Sequence, residues 1–157
     1  MSLPGFVRGS FQALVESGNI RYASWPVAGV AIADDAAYDE IVVAAAGPGG
    51  AVPCWLCGFS FGIATGLIVA EIGYEFSIGT GGVAGDGNAP TVVLVTNWAV
   101  NFSAVAAALG PFVIPPQTLP YPIKIAAGAR IAAVYTTLVG AAAITRFRVI
   151  LATAVGD

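Results

Sequence analysis

Few side chains in this sequence could do chemistry, and their spacing limits what that chemistry could be. Cys54 and Cys57 form a lone C-x-x-C. A structural zinc site wants four ligands, and the chain has no histidine and no third cysteine to complete one. The pair therefore reads either as a redox couple or as two small core residues. On a strand, their side chains would point to opposite faces. The densest acids are Asp34-Asp35 and Asp39-Glu40. Paired carboxylates can bind calcium or exchange protons, but no regular ligand spacing closed by a glutamate follows, so a solvated turn is expected. Glu71 and Glu75 are the one acidic pair expected on a single strand face. At i, i+4 their Cα atoms lie roughly 13 Å apart, beyond the ~9.5 Å over which two carboxyls cooperate in glycoside hydrolysis. Hydration, or pairing with Arg146 and Arg148 across a sheet, is the expected use of these acids.

Two glycine clusters complete the inventory. Gly47-Pro48-Gly49-Gly50 marks a turn and not a phosphate loop, since no G-K-[ST] follows and no helix pattern begins. Gly79-Thr80-Gly81-Gly82 with Gly85-Asp86-Gly87-Asn88 makes a glycine-rich loop whose backbone amides could nest an anion. No catalytic residue, cofactor site or metal site is expected, and the chain reads as a non-enzyme.

The elements that must position these residues read as strands. The chain has 157 residues, enough for one domain with a sizeable core. Its 20 glycines and 10 prolines follow no fixed period, which makes the chain turn-rich. Residues 67–78 alternate, with Ile68, Ala70, Ile72, Tyr74, Phe76 and Ile78 on one face. In residues 144–152, Thr145, Phe147, Val149 and Leu151 oppose Arg146 and Arg148. Further strands are expected at 41–43, 51–61 and 91–95, the last of them buried, and on either side of the turn at Ala126-Ala127-Gly128. Thr65-Gly66 is a turn, and 98–109 suits a short helix or a loop. Pro111, Pro115, Pro116, Pro120 and Pro122 predict an extended connection. About eight strands with few helices predict an all-β antiparallel β-sandwich of the jelly-roll kind over residues 36–157. Residues 1–35 are expected to be an irregular N-terminal arm broken by Gly5, Gly9, Gly18 and Pro26, with a short helical turn over 11–17.

Charge is scarce. Charged residues make up 10% of the chain, against roughly 25% in ordinary soluble domains. Either the chain lies in a membrane, or neighbouring subunits cover much of its exterior. The 51–70 run is long enough to span a bilayer, but Pro53, Gly58, Gly62 and Gly66 interrupt it and no Lys/Arg cluster flanks it. The N-terminus shows no apolar h-region after a basic start, so no secretory signal is expected. The net charge of −3, with a single lysine, argues against nucleic acid as a partner.

The succession EIVVAAA, PCWLCGFSF, LIVAEIGYEFSIGTGG, TVVLV, LPYPIKIAAGARIAAVYTT and ITRFRVILATA resembles small virion structural proteins of tailed bacteriophages. In that group a segment like Pro-hydrophobic-x-Ile-Pro-Ala-Gly-x-Arg-Ile-Ala opens the C-terminal strands. The stretch from Pro122 to Ala132 matches it, with Ala126 where proline is common. Glu71-Ile72-Gly73-Tyr74-Glu75 and residues 79–82 loosely echo a second segment, which ends a long strand. The resemblance covers residues 38–155. It implies a β-sandwich component of a capsid or tail, located in the virion and assembled in the host cytoplasm, and it carries over no functional residue.

The expected function is accordingly capsid decoration or cementing, or a minor capsid role. The partners would be copies of the same chain, with a trimer as the guess, and other virion proteins such as the major capsid protein; no nucleic acid and no membrane are expected. Phe6, Phe11, Tyr22 and Trp25 on the arm are the candidate interface residues, either anchoring in a neighbour's pocket or folding back on their own domain. A carbohydrate- or receptor-binding module, with Trp25, Trp55 and Trp98 as stacking platforms, is the alternative. A small integral membrane protein is the third reading.

Overall fold

The computed structural model describes residues 5–32, 34, 37–42, 54–63, 71–103, 112–139 and 143–154. In chain order these form α1 (Gly5–Glu16), β1 (Ile20–Ile32), β2 (Asp39–Val42), β3 (Cys54–Ser60), β4 (Gly62–Ile63), β5 (Glu71–Thr80), β6 (Val92–Ser103), β7 (Phe112–Val113), β8 (Gln117–Ile125), β9 (Ile131–Val139) and β10 (Ile144–Ala154). The expected turns at 47–50 and 65–66, and residues 67–70 of the expected long strand, lie outside the described residues.

Every named pairing is antiparallel. β3 and β4 run on as one row broken at Phe61, and β7 and β8 run on as another. The Ile114 N–H donates to the Phe61 carbonyl at 2.8 Å where the two rows meet. Sheet A is then ordered β1, β10, β3/β4, β7/β8, and sheet B is ordered β2, β9, β5, β6. Numbering the rows along the chain gives 1-8-3-6 and 2-7-4-5, the double Greek key of a jelly-roll sandwich.

The core lies between the sheets, and strand alternation places it there. Ile72, Tyr74, Phe76 and Ile78 of β5 point inward and are buried, as the alternation predicts. Phe147, Val149 and Leu151 face them from β10, while Arg146 is exposed. Phe59 of sheet A packs on Phe76 of sheet B with ring centroids 5.1 Å apart, and on Phe147 at 5.6 Å.

The C-x-x-C strand keeps its apolar side chains inward through a bulge. Leu151 faces Leu56 and Ile150 faces Gly58, so Cys57 is the extra residue. Before it Cys54 and Leu56 point to the core; after it Phe59 and Phe61 do. Beside this bulge β8 breaks register as well. Ile123 pairs with Leu56 and Thr118 with Gly58, which leaves 119–122, including Pro120 and Pro122, in the gap. Prolines lack the ladder donor and are tolerated at such a break on an edge strand. From Gln117 on, the proline-rich connection is thus strand where the sequence suggested a linker.

Three other expectations are corrected. Residues 5–32 are not an irregular arm. α1 ends at a left-handed Gly18 (φ 73), the Ser17 N–H donating to the Ala13 carbonyl at 2.9 Å. β1 then pairs with β10 from Ile20 to Ile32. Pro26 and Gly29 fall in a register break of that pairing, which hid the strand from a periodicity reading. Residues 91–95 are not a buried strand, because β6 is an edge with Val92 and Val93 half exposed. That edge strand also runs through Trp98 to Ser103 in place of a short helix or loop; residues 104–109 lie outside the described set.

Candidate interaction surface

The one strongly buried charge in the described residues, Arg130, organises the glycine-rich loop. It sits just before β9 and is 2% exposed. Its Nε donates to Glu40 Oε2 at 2.7 Å. Nη1 donates to the Gly81 carbonyl at 3.1 Å, and Nη2 to those of Gly85 and Asn88 at 2.8 and 3.0 Å. The Arg130 carbonyl accepts from Thr80 Oγ1 at 2.7 Å and from the Gly81 N–H at 3.1 Å. The loop between β5 and β6 is thereby folded back over the outer face of sheet B. Gly79 lies so close under Pro90 that a Cβ there would overlap the ring.

Of the loop amides expected to nest an anion, one meets a carboxylate, and it is the chain's own. The Gly85 N–H donates to Glu40 Oε2 at 2.9 Å, and Asp86 Oδ1 accepts from the Glu40 N–H at 2.8 Å. Asp34 and Glu40 of the acidic clusters are therefore engaged within the chain and not merely solvated. Glu40 closes the loop, and Asp34 grips Thr137, accepting from its N–H at 3.0 Å and its hydroxyl at 2.8 Å. Asp35 lies outside the described residues. Nothing in the sequence alone joined Glu40 to Arg130 across ninety positions.

Glu75 and the arginines are in different sheets. Glu75 faces Ala99 and Thr136 within sheet B, whereas Arg146 and Arg148 belong to sheet A. The expected cross-strand pairing is ruled out by topology. Arg148 instead reaches the Ala28 carbonyl at 3.5 Å.

The cysteines are free thiols. Cys54 is buried in the core, while Cys57 at the bulge is half-buried, its Sγ 3.6 Å from the Trp55 carbonyl. Burial pushes the Cys57 thiol up to about 11, outweighing a backbone hydrogen bond at Ala152 that lowers it. At pH 8 about one Cys57 in 1,000 is then thiolate, against roughly one in four for a free cysteine. Alkylation of the native protein at pH 8 should be about 100-fold slower than that of a small thiol, rising about tenfold per pH unit up to pH 10. Prompt reaction of a full equivalent of thiol would contradict this.

Of the candidate interface aromatics, Phe6 falls within α1, its side chain outside the described set. Phe11 packs on Trp55 at 5.8 Å, and Trp25 packs against the core. Tyr22 is 57% exposed. Trp55 points out of sheet A, yet α1 covers it to 4% exposure. Trp98 meets Phe59 edge-on at 6.2 Å.

The surface left over beside the loop on sheet B is poor in charge. On the outer face of sheet B beyond the loop stand Val134, Thr136, Ser77, Ala99 and the exposed Leu138, with Glu75 among them. Three sheet edges are blunted: β1 by Pro26, β8 by two prolines, and β2 by its four-residue length. β6 is twelve residues long and contains neither charge nor proline. Among the described residues it pairs with β5 alone, an open template for association. A shallow cleft of about 390 Å³ between β6 and the link from β7 to β8 is lined by Ala99, Val100, Asn101, Ile114, Pro115 and Gln117, with no titratable group.

Among the described residues, no three His, Cys, Asp or Glu gather where a metal could be held. No helix there is long and apolar enough to cross a membrane. Comparison with protein-family models, curated proteins and solved structures finds no match.

Proposed function

We propose that this chain is a non-enzymatic structural protein of a tailed-phage particle, a decoration or cement protein or a minor capsid component. It would act through contacts with copies of itself and with the major capsid protein. The observation that carries this reading is a jelly-roll sandwich whose exposed sheet B face and longest proline-free edge, β6, are nearly devoid of charge. Such surfaces gain about 25 cal/mol per Å² when covered, less the cost of ordering two molecules. The resemblance of residues 38–155 to phage virion proteins supports the same reading.

The carbohydrate-binding alternative needs aromatic platforms beside carboxylates. Trp25, Trp55 and Trp98 are engaged within the chain, and exposed Tyr22 and Tyr121 stand on β1 and β8, at opposite edges of sheet A. Nothing in this arrangement favours it. Sedimentation equilibrium of the isolated chain from micromolar to millimolar concentration tests the assembling reading. Reversible self-association is expected; a monomer throughout would count against it.

A further inference from the structure

The edges of the two sheets differ in charge. β1 carries Arg21 and Pro26, β8 carries Lys124 with Pro120 and Pro122, and the short β2 carries Asp39 and Glu40. β6 carries no charge and no proline, and among the described residues β5 alone pairs with it. Its two halves are unlike. Between Val92 and Trp98 the pairing with β5 slips twice, and Asn97 takes a left-handed conformation (φ 52). Such bulges twist an edge away from neighbours. From Trp98, facing Phe76, to Ser103, facing Glu71, the register is unbroken. This regular half borders the cleft of about 390 Å³ through Ala99, Val100 and Asn101.

We propose that residues 98–103 of β6 pair antiparallel with the same residues of a second copy across a two-fold axis, joining the two B sheets into one. This rests on the assembling reading above and names one of its contacts. A self-contact sets each charge near its own duplicate, so an edge without charge meets its copy at no electrostatic cost. A foreign strand would find no charge there by which to be selected. Such a two-fold relates antiparallel strands and is the commonest closed symmetry.

Side-chain direction fixes the register. Residues facing each other across a ladder point to the same face of the sheet. Val100 is buried toward the core, whereas Ala99 and Asn101 are exposed on the outer side. The axis therefore falls on a residue and not between two. Val100 is the middle of the three β6 residues that border the cleft. An axis there sets Val100 against itself, Ala99 against Asn101 and Trp98 against Phe102. About six residues at ~3.3 Å make a ladder of about 20 Å, and with sheets ~10 Å apart each copy gives roughly 200 Å² of edge. That is well under the ~800 Å² per partner of a stable interface. Between free molecules the contact dissociates on dilution, and it strengthens where other contacts hold copies together.

The test is sedimentation equilibrium up to millimolar protein, on wild type and two variants checked for folding by circular dichroism. Both variants change exposed outer positions. In Ala99→Lys with Asn101→Lys, each lysine faces a lysine across the axis; in Ala99→Lys with Asn101→Glu, each lysine faces a glutamate. Wild type should rise above its 15.8 kDa monomer mass as concentration increases. The first variant should associate at least tenfold more weakly, and the second at least as tightly as wild type. Hydrogen exchange of wild type gives a reading without any substitution. Amides within 98–103 should slow as concentration rises, while those of β1 should not. A first variant that associates like wild type, or a second that fails as the first does, overturns the edge pairing and leaves the assembling reading standing. So do 98–103 amides indifferent to concentration in a protein that associates. A wild type that stays monomeric at every concentration overturns both.

Discussion

Arg130→Ala should destabilise the fold by about 3–5 kcal/mol, the usual cost of removing one partner from a buried ion pair. Arg130 is the more deeply buried of the two partners, so its loss leaves Glu40 without a counter-charge and the carbonyls of Gly81, Gly85 and Asn88 without their donor. Loop carbonyls can turn toward water, which places the expectation at the lower end of that range. The damage should be local before it is global. Hydrogen exchange at the Gly81, Gly85 and Gly87 amides, bonded respectively to Arg130, Glu40 and Tyr38, should accelerate more than exchange in β5 or β10. Glu40→Gln combined with Arg130→Ala should cost less than the sum of the two single changes, because the groups act as one unit. A urea midpoint for Arg130→Ala corresponding to a loss below about 1 kcal/mol would show that the loop is held by something else.

Phe59→Ala should cost about as much, 3–5 kcal/mol, by a different route. Phe59 is fully buried and touches rings from both sheets: Phe147 and Phe61 in sheet A, Phe76 and Trp98 in sheet B. Its removal empties the middle of the sandwich, where close-packed neighbours cannot collapse without moving a sheet. Val92→Ala, at a half-exposed edge position, should change stability by no more than about 0.5 kcal/mol. Comparable losses from the two substitutions would mean that the core is not where Phe59 lies.

Alternation made sheet membership readable where one face is buried and the other is wet. Residues 74–78 of β5 and 146–151 of β10 obey it residue by residue. It failed where the chain departs from period two for tertiary reasons. The bulge at Cys57 reverses the inward phase within β3, and only the partner strands reveal it. β1 is interrupted at Pro26 to Gly29, so it looks broken until β10 is laid beside it. β8 holds two prolines because it is an edge, and edge status is a property of the whole sheet.

The site-level reading missed the Arg130 node for a related reason. Glycine and acid clusters were each legible, but their meeting depends on a loop folding back over sheet B. Scarcity of charge was plain from composition.

The proposed structural role is tested most directly by whether the chain is present in a phage particle, and where. Cryo-electron microscopy of purified virions should show many copies at symmetry-related positions, with the outer faces of both sheets against neighbouring subunits. Particles that lack the chain, or that hold it as a solitary copy with both sheet faces open to solvent, would contradict the structural role.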